Sequence, residues 1–336
     1  MERSATIAIA NCDRQEQEST KAYFLSYYNK TMIEDRLPKL GLVCVTTSDE
    51  VRFRTVTRRT LSKLSESEQQ QKLRTIYDAN VKRLYKAIAF CQRENIQLYR
   101  LSSGLFPFAD SPLGEKILAE FTTDLQQIGR LAKSNGIRLV IHPDQFVVLN
   151  SDRQEVIDNS IKILETHAHV MDLLELPRSP WALINIHGGK GDRSQRLIDN
   201  IKQLPENIYS RLTIENDEHA YSSEETASIC LAAGIPMVFD AHHHFVNKKL
   251  ESYEDPSVKE MLELARTTWK QPEWQLVHIS NGKNSLHDTK HSDLIYDMPS
   301  CFQNVPWIEI EAKHKELAIS ELKQGWLRSL QPELAM

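Results

Sequence analysis

The chain has no Cys-x-x-Cys pair. Its five cysteines, Cys12, Cys44, Cys91, Cys230 and Cys301, are scattered, which argues against a disulfide framework or a cysteine zinc site and makes a reducing cytoplasm the expected compartment. No run of about 18 apolar residues occurs, so no membrane span is expected. The N-terminus carries Glu2 and Arg3 before only a short apolar stretch, Ala5–Ala10, a poor signal peptide. No G-x-G-x-x-G or G-x-x-x-x-G-K-[ST] follows the first apolar run, so nucleotide cradling has no support. An excess of positive charge is also missing: the formal net charge is −5 and the sequence pI about 6.2. A generally basic nucleic-acid binder is thereby excluded, and any polyanion must meet local basic surface or metal ions.

What the chain does have is eight short apolar runs: Leu40–Thr46, Gln97–Ser102, Arg138–Pro143, Ala182–Gly188, Arg211–Asp217, Pro236–His242, Trp274–Ser280 and Trp307–Lys313. They are continuous rather than alternating (Leu139-Val140-Ile141, Met237-Val238-Phe239), as in parallel strands buried on both faces. Stretches with helical spacing separate many of them: 65–94, 114–135, 153–176, 222–233, 258–268 and 314–327. Ser222 with Glu225 reads as a capping box, and Gly136 and Gly234 as helix stops. Strands alternating with helices favour a single closed (β/α)8 barrel over a doubly wound sheet, within the length range of 336 residues. Residues 1–36 read as a polar N-terminal extension, loosely ordered or carrying a short helix over 21–29, and residues 37–330 as the barrel domain.

The last six runs finish on or near His142, His187, Glu215, Asp240, His278 and Glu311. Each alone has a bland reading, such as a strand-end cap or a loop histidine. Six in succession imply a metal site at the carboxyl ends of the strands, because charged groups there are rarely buried without partners. Mixed imidazole and carboxylate donors suit Zn²⁺, Mn²⁺ or Fe²⁺. Their number exceeds one tetrahedral site and implies two or three ions, with a carboxylate such as Glu215 as bridge. Of His242-His243-His244, only one or two can face a metal if the chain there is extended. Asp144, Asp217, Glu218 and Glu309 are expected to be solvated or behind the ligands, and His167, His169 and His219 to be unrelated.

Several strings together resemble the UV damage endonucleases of the UvdE/UvsE family, in the endonuclease IV and xylose isomerase-like barrel superfamily. They are Lys39-Leu40-Gly41-Leu42, Leu105-Phe106-Pro107-Phe108-Ala109, His142-Pro143-Asp144-Gln145-Phe146, His187-Gly188-Gly189, Glu215-Asn216-Asp217-Glu218, Asp240-Ala241-His242-His243-His244, His291-Ser292-Asp293 and Glu311-Ala312-Lys313. The resemblance implies metal ligands at His142, His187, Glu215, Asp240, His243, His278, His291 and Glu311. The ions would be two or three divalent ones, Mn²⁺ first and Zn²⁺ or Co²⁺ as alternatives. It also implies a lesion-probing pair at Gln145 and Phe146, the latter in place of a tyrosine. Three departures stand out: Asp110-Ser111-Pro112 where some members have a histidine, Leu42 where some have a tyrosine, and Leu276 where a modified lysine lies.

The implied reaction is hydrolysis of a DNA phosphodiester 5′ of a UV photoproduct, leaving 3′-hydroxyl and 5′-phosphate ends. Glu215 and Glu311 would be central to catalysis, and Lys313 would assist charge neutralisation. Arg52, Arg54, Arg58 and Arg59 after the first strand, with Lys190, are the expected DNA-facing charges. The expected partner is damaged double-stranded DNA, with no membrane, for a monomer that would be nucleoid-associated in a bacterium. The competing readings are an abasic-site endonuclease of the endonuclease IV type, a sugar isomerase of the same superfamily, and a metal-dependent DNA-binding protein without turnover.

Overall fold

The computed structural model describes residues 37–143 and 146–331. The N-terminal extension, with its expected helix, and Asp144 and Gln145 lie outside these residues. Eight strands form: β1 (Lys39–Val43), β2 (Leu98–Leu101), β3 (Arg138–Ile141), β4 (Ile184–His187), β5 (Leu212–Glu215), β6 (Met237–Asp240), β7 (Leu276–Ile279) and β8 (Trp307–Ile310). They pair in parallel in chain order, and β8 returns to β1 to close the barrel. The expected (β/α)8 barrel is what the chain forms. Each strand is shorter than its apolar run because the flanking residues turn out of the ladder. Cys44, for instance, takes a φ of +64° directly after β1.

The helices follow from local signals. Glu66–Arg93 starts at a capping box made by Ser65 and Glu68, and buries Leu73, Ile76, Tyr77, Leu84 and Ile88 on one stripe. Ser223–Ala233 starts at the Ser222/Glu225 box and stops at Gly234, whose φ of +78° suits a residue without Cβ.

Three expectations need correction. The helix expected over 114–135 is broken into Pro112–Leu118, a 3-10 turn at Ala119–Phe121, and Thr122–Ser134. Ser111 caps the first piece and Pro112 occupies its opening turn. A helix at Ser194–Lys202, between β4 and β5, is present although no helical stretch was expected there. The histidine triple is helical, not extended: Ala241–Lys248 is a helix that Asp240 N-caps by accepting the His243 N–H at 2.8 Å.

Inside the barrel, period-two alternation stacks side chains in tiers. Leu98, Val140, Leu183, Val238, Leu276 and Trp307 pack together as an apolar tier. Leu276, fully buried, is part of this tier. Beneath it lies Arg138, fully buried. Its guanidinium donates to the carbonyls of Trp181, Pro180 and Trp274 at 2.7, 2.9 and 3.0 Å and stacks on Trp181 and Trp307. The barrel is therefore a packed core closed at its floor, and polar chemistry is confined to the other end.

Candidate metal centre

Two residues above the apolar tier, the same alternation points Arg100, Asn185, Thr213, His278 and Glu309 inward. At the mouth come His142, His187, Glu215, Asp240 and Glu311. Ladder register sets His187 beside Glu215, Asp240 beside His278, and His278 beside Glu309. Gly188 and Gly189 let the chain leave β4 tightly. A Cβ on Gly188 would meet the Tyr221 ring at 2.4 Å, and Gly189 has a φ of +80°.

Glu215 is at the centre. His142 Nε2 lies 3.0 Å from its Oε2, His278 Nδ1 3.1 Å and His243 Nε2 3.4 Å from its Oε1. Asn185 Nδ2 donates to Oε2 at 2.6 Å and is itself held by the Thr213 hydroxyl at 2.9 Å. Three ligand groups result, each with donor atoms mutually within 4.8 Å: His142–His187–Glu215, Glu215–Asp240–His243, and Asp240–His278–Glu311. Glu215 and Asp240 each belong to two groups, so the three form a chain bridged by carboxylates. Among the described residues, His187 Nδ1 and Asp240 Oδ2 of these groups, and Glu309 Oε1 behind them, are buried with no hydrogen-bond partner. Orphaned donors of this kind are costly unless something binds them. With an all-imidazole-and-carboxylate donor set, they fit divalent ions.

The electrostatics point the same way. Burial pushes the Glu215 carboxyl up, but His278, His187, His142 and His243 more than offset this and hold it well below its usual range. Burial alone lowers His278, yet Glu215, Glu309 and Glu311 raise it to about 10. His243 is likewise driven well above its usual value against the burial penalty, by Asp240, Glu215 and Glu218. Its Nδ1 sits 2.7 Å from Glu218, so Glu218 backs His243 as a positioning carboxylate. His187 is lowered, chiefly by burial, which leaves a lone pair free. Protonated imidazoles thus balance the carboxylates where metal ions would do so.

Of the histidine triple, only His243 faces this cluster. His242 bonds the Tyr253 hydroxyl and the Asp288 carbonyl, and His244 lies between Ser223 and Ser257. His291 stands at the edge, with Nε2 3.8 Å from Glu311, and belongs to none of the three groups. Lys313 is exposed and outside the cavity lining, because β8 ends at Ile310 and the Lys313 N–H bonds the Ser292 carbonyl. The lysine that senses Glu311 is Lys315, whose pKa burial lowers. Arg100 was missed altogether. The signal was a lone charge inside the buried four-residue strand Leu98–Leu101.

The cluster opens into a cavity of about 690 Å³, lined also by Val147, Gly189 and Lys190. Around the mouth, Phe146 is 79% exposed. Arg52, Arg54, Arg58 and Arg59 are exposed, Arg58 and Arg59 on the helix Arg58–Leu61 and not in a loop, and Arg58 stacks on Phe108. Lys190 shares Asp152 with Arg193 and Arg196, so that group keeps a positive surplus.

The UV-endonuclease UvdE family matches residues 38–332. The chain belongs to the UvdE family of DNA-repair endonucleases. A UV DNA damage endonuclease from Nostoc sp. is 56% identical, over 86% of this chain and 91% of the relative. One from Deinococcus radiodurans is 49% identical, over 86% and 96%. Among solved structures, SacUVDE superposes with a TM-score of 0.72 at 29% identity, covering 85% of this chain and 98% of that one. Endonuclease IV from Thermus thermophilus, at 13% identity and a TM-score of 0.55, shares the fold. Among the described residues of this UvdE-family chain, no helix is long and apolar enough to cross a membrane, and Cys44, Cys91, Cys230 and Cys301 are free.

Proposed function

We propose that this chain incises duplex DNA on the 5′ side of UV photoproducts by metal-assisted hydrolysis, leaving 3′-hydroxyl and 5′-phosphate ends. The observation that carries the reading is the chain of three ligand groups joined through Glu215 and Asp240 at the mouth of a UvdE-family barrel. Two or three divalent ions held there, Mn²⁺ foremost and Zn²⁺ or Co²⁺ as alternatives, would supply the Lewis acidity that activates water and offsets phosphate charge. His142, His187, Asp240, His243, His278 and Glu311 would hold the ions together with Glu215, which belongs to two of the groups. His291, beside Glu311, can complete one group with a short side-chain movement. Lys313 takes no part in this reading, because it faces solvent.

Arg52, Arg54, Arg58, Arg59 and Lys190 seat the phosphate backbone without reading sequence. That local charge explains DNA binding by a chain of net charge −5. Phe146 offers an exposed aromatic face to a gap in the base stack, and Gln145 would supply hydrogen bonds to the bases there. A damaged pair costs less to unstack, which supplies the selectivity. The chain acts as a monomer in the cytoplasm, at the nucleoid if bacterial.

The test is nicking of UV-irradiated supercoiled plasmid by chelator-treated protein, with and without added Mn²⁺, beside unirradiated plasmid and an abasic duplex. Metal-dependent nicking that favours irradiated plasmid is expected. Its absence from folded, metal-loaded protein sinks the proposal, and a preference for the abasic duplex moves the assignment to an abasic-site endonuclease.

A further inference from the structure

Below the ligand groups, one buried arginine touches two strands across the barrel interior. Arg100 on β2 is 7% exposed. Its Nε donates to Glu309 Oε2 at 2.9 Å, and its Nη2 reaches both Glu309 Oε2 and Glu311 Oε1. The same Nη2 lies 3.0 Å from His278 Nε2, which is 2.6 Å from Glu309 Oε2. A guanidinium only donates and a carboxylate only accepts, so the 2.6 Å contact is an Nε2–H donated to Glu309. With Nε2–H committed to Glu309, Nδ1 is the nitrogen that must give up its proton when His278 turns neutral to hold an ion. It faces the mouth, 3.1 Å from Glu215 and 3.4 Å from Glu311. Glu311, held through Oε1, leaves its Oε2 on the His291 side.

We propose that Arg100 and Glu309 are a positioning pair for the Asp240–His278–Glu311 group. Glu309 selects the His278 tautomer with Nδ1 free, and the Arg100 fork holds Glu309 and Glu311 in the rotamers that present their partners to the mouth. The inference rests on the metal reading of the site. Neither residue ligates an ion or meets DNA. Their effect is transmitted through His278 and Glu311, as with the outer carboxylates that orient metal-bound histidines.

The test is Mn²⁺ titration of chelator-treated protein by calorimetry, with DNA affinity and melting temperature measured alongside. Arg100→Gln and Glu309→Gln should each weaken one class of Mn²⁺ sites by about 10–100-fold, leave the remaining class unchanged, and leave DNA affinity unchanged. Arg100→Lys keeps a buried cation should the uncharged variants fail to fold. It loses the two-carboxylate fork and should weaken the same class. In the diamagnetic zinc form, the ¹⁵N resonances of His278 should report a protonated Nε2 in the wild type and a different ring environment in Glu309→Gln. Wild-type protein that takes up Mn²⁺, with variants that titrate identically, overturns the role of Arg100 and Glu309 alone. Wild-type protein that takes up no Mn²⁺ overturns the metal reading and this role together.

Discussion

The two ends of the barrel each bury an arginine, and they treat it in opposite ways. At the floor, Arg138 meets three backbone carbonyls and two tryptophan faces but no carboxylate, and burial lowers its pKa. At the mouth, Arg100 suffers the same burial, but Glu309 and Glu311 beside it drive its pKa well above the usual value. The floor satisfies one cation with neutral dipoles. The mouth gathers Glu215, Glu218, Asp240, Glu309 and Glu311 around one fixed cation, and the remaining negative charge is met by histidines. A closed, self-satisfied plug serves stability, whereas an acid surplus with movable protons serves binding of cations.

The strongest way to separate the two ends is a variant at each. Glu215→Ala should lower nicking by at least about 10³-fold, on the scale of losing a central catalytic group, and reduce bound Mn²⁺. The metal-free variant should also melt lower, because His278 and His243 lose the carboxylate that balances them. Nicking and Mn²⁺ uptake are therefore compared at a temperature where circular dichroism shows it folded. Arg138→Leu should do the reverse. It strands three buried carbonyls and should cost about 3–5 kcal/mol in urea denaturation, with the Mn²⁺ stoichiometry of the surviving folded protein intact.

A pH series sharpens the point. The folded His278 lies at about 10 against an ordinary 6.5. Its contribution to the stability of metal-free protein is therefore complete below pH 6.5 and is lost as pH rises towards 10. Melting temperatures after chelation should fall across that window. With Mn²⁺ present the trend should flatten or reverse, because ligation needs the deprotonated imidazole. An identical profile with and without metal would remove His278 from the metal site.

Smaller effects belong to the rim. Phe146→Ala should cost about 1–3 kcal/mol in binding lesion-containing DNA, the range for one lost stacking contact, with little change on undamaged duplex. Arg59→Ala should weaken binding of all duplexes alike and lower the salt-dependence slope by about 1. An unaltered slope would make Arg59 solvated surface only.

The barrel was legible because its strands are two-sided apolar runs and its helices carry their own caps, both encoded within a few residues. The gathering of strand-end histidines and carboxylates at the mouth was legible for the same reason, since the strand end itself marks the mouth. The histidine triple misled because an aspartate at the end of a strand is also an N-cap, and the cap turned the chain helical. That turn decides that His243, and not His242 or His244, meets Glu215. The exposure of Lys313 was not legible, because its position depends on where β8 stops and on the bond from its N–H to the Ser292 carbonyl in another loop.

By itself, then, the amino-acid order determined the repeating strand-and-helix pattern, the side on which polar chemistry collects, and the kinds of donor available. Tertiary structure alone decided which donors share an ion's reach, and that Arg100 on β2 would lie against Glu309 and Glu311 on β8. The physical reason is that periodicity and capping are properties of neighbours along the chain. Ligand groups and buried charge pairs depend on register and closure between strands far apart in sequence.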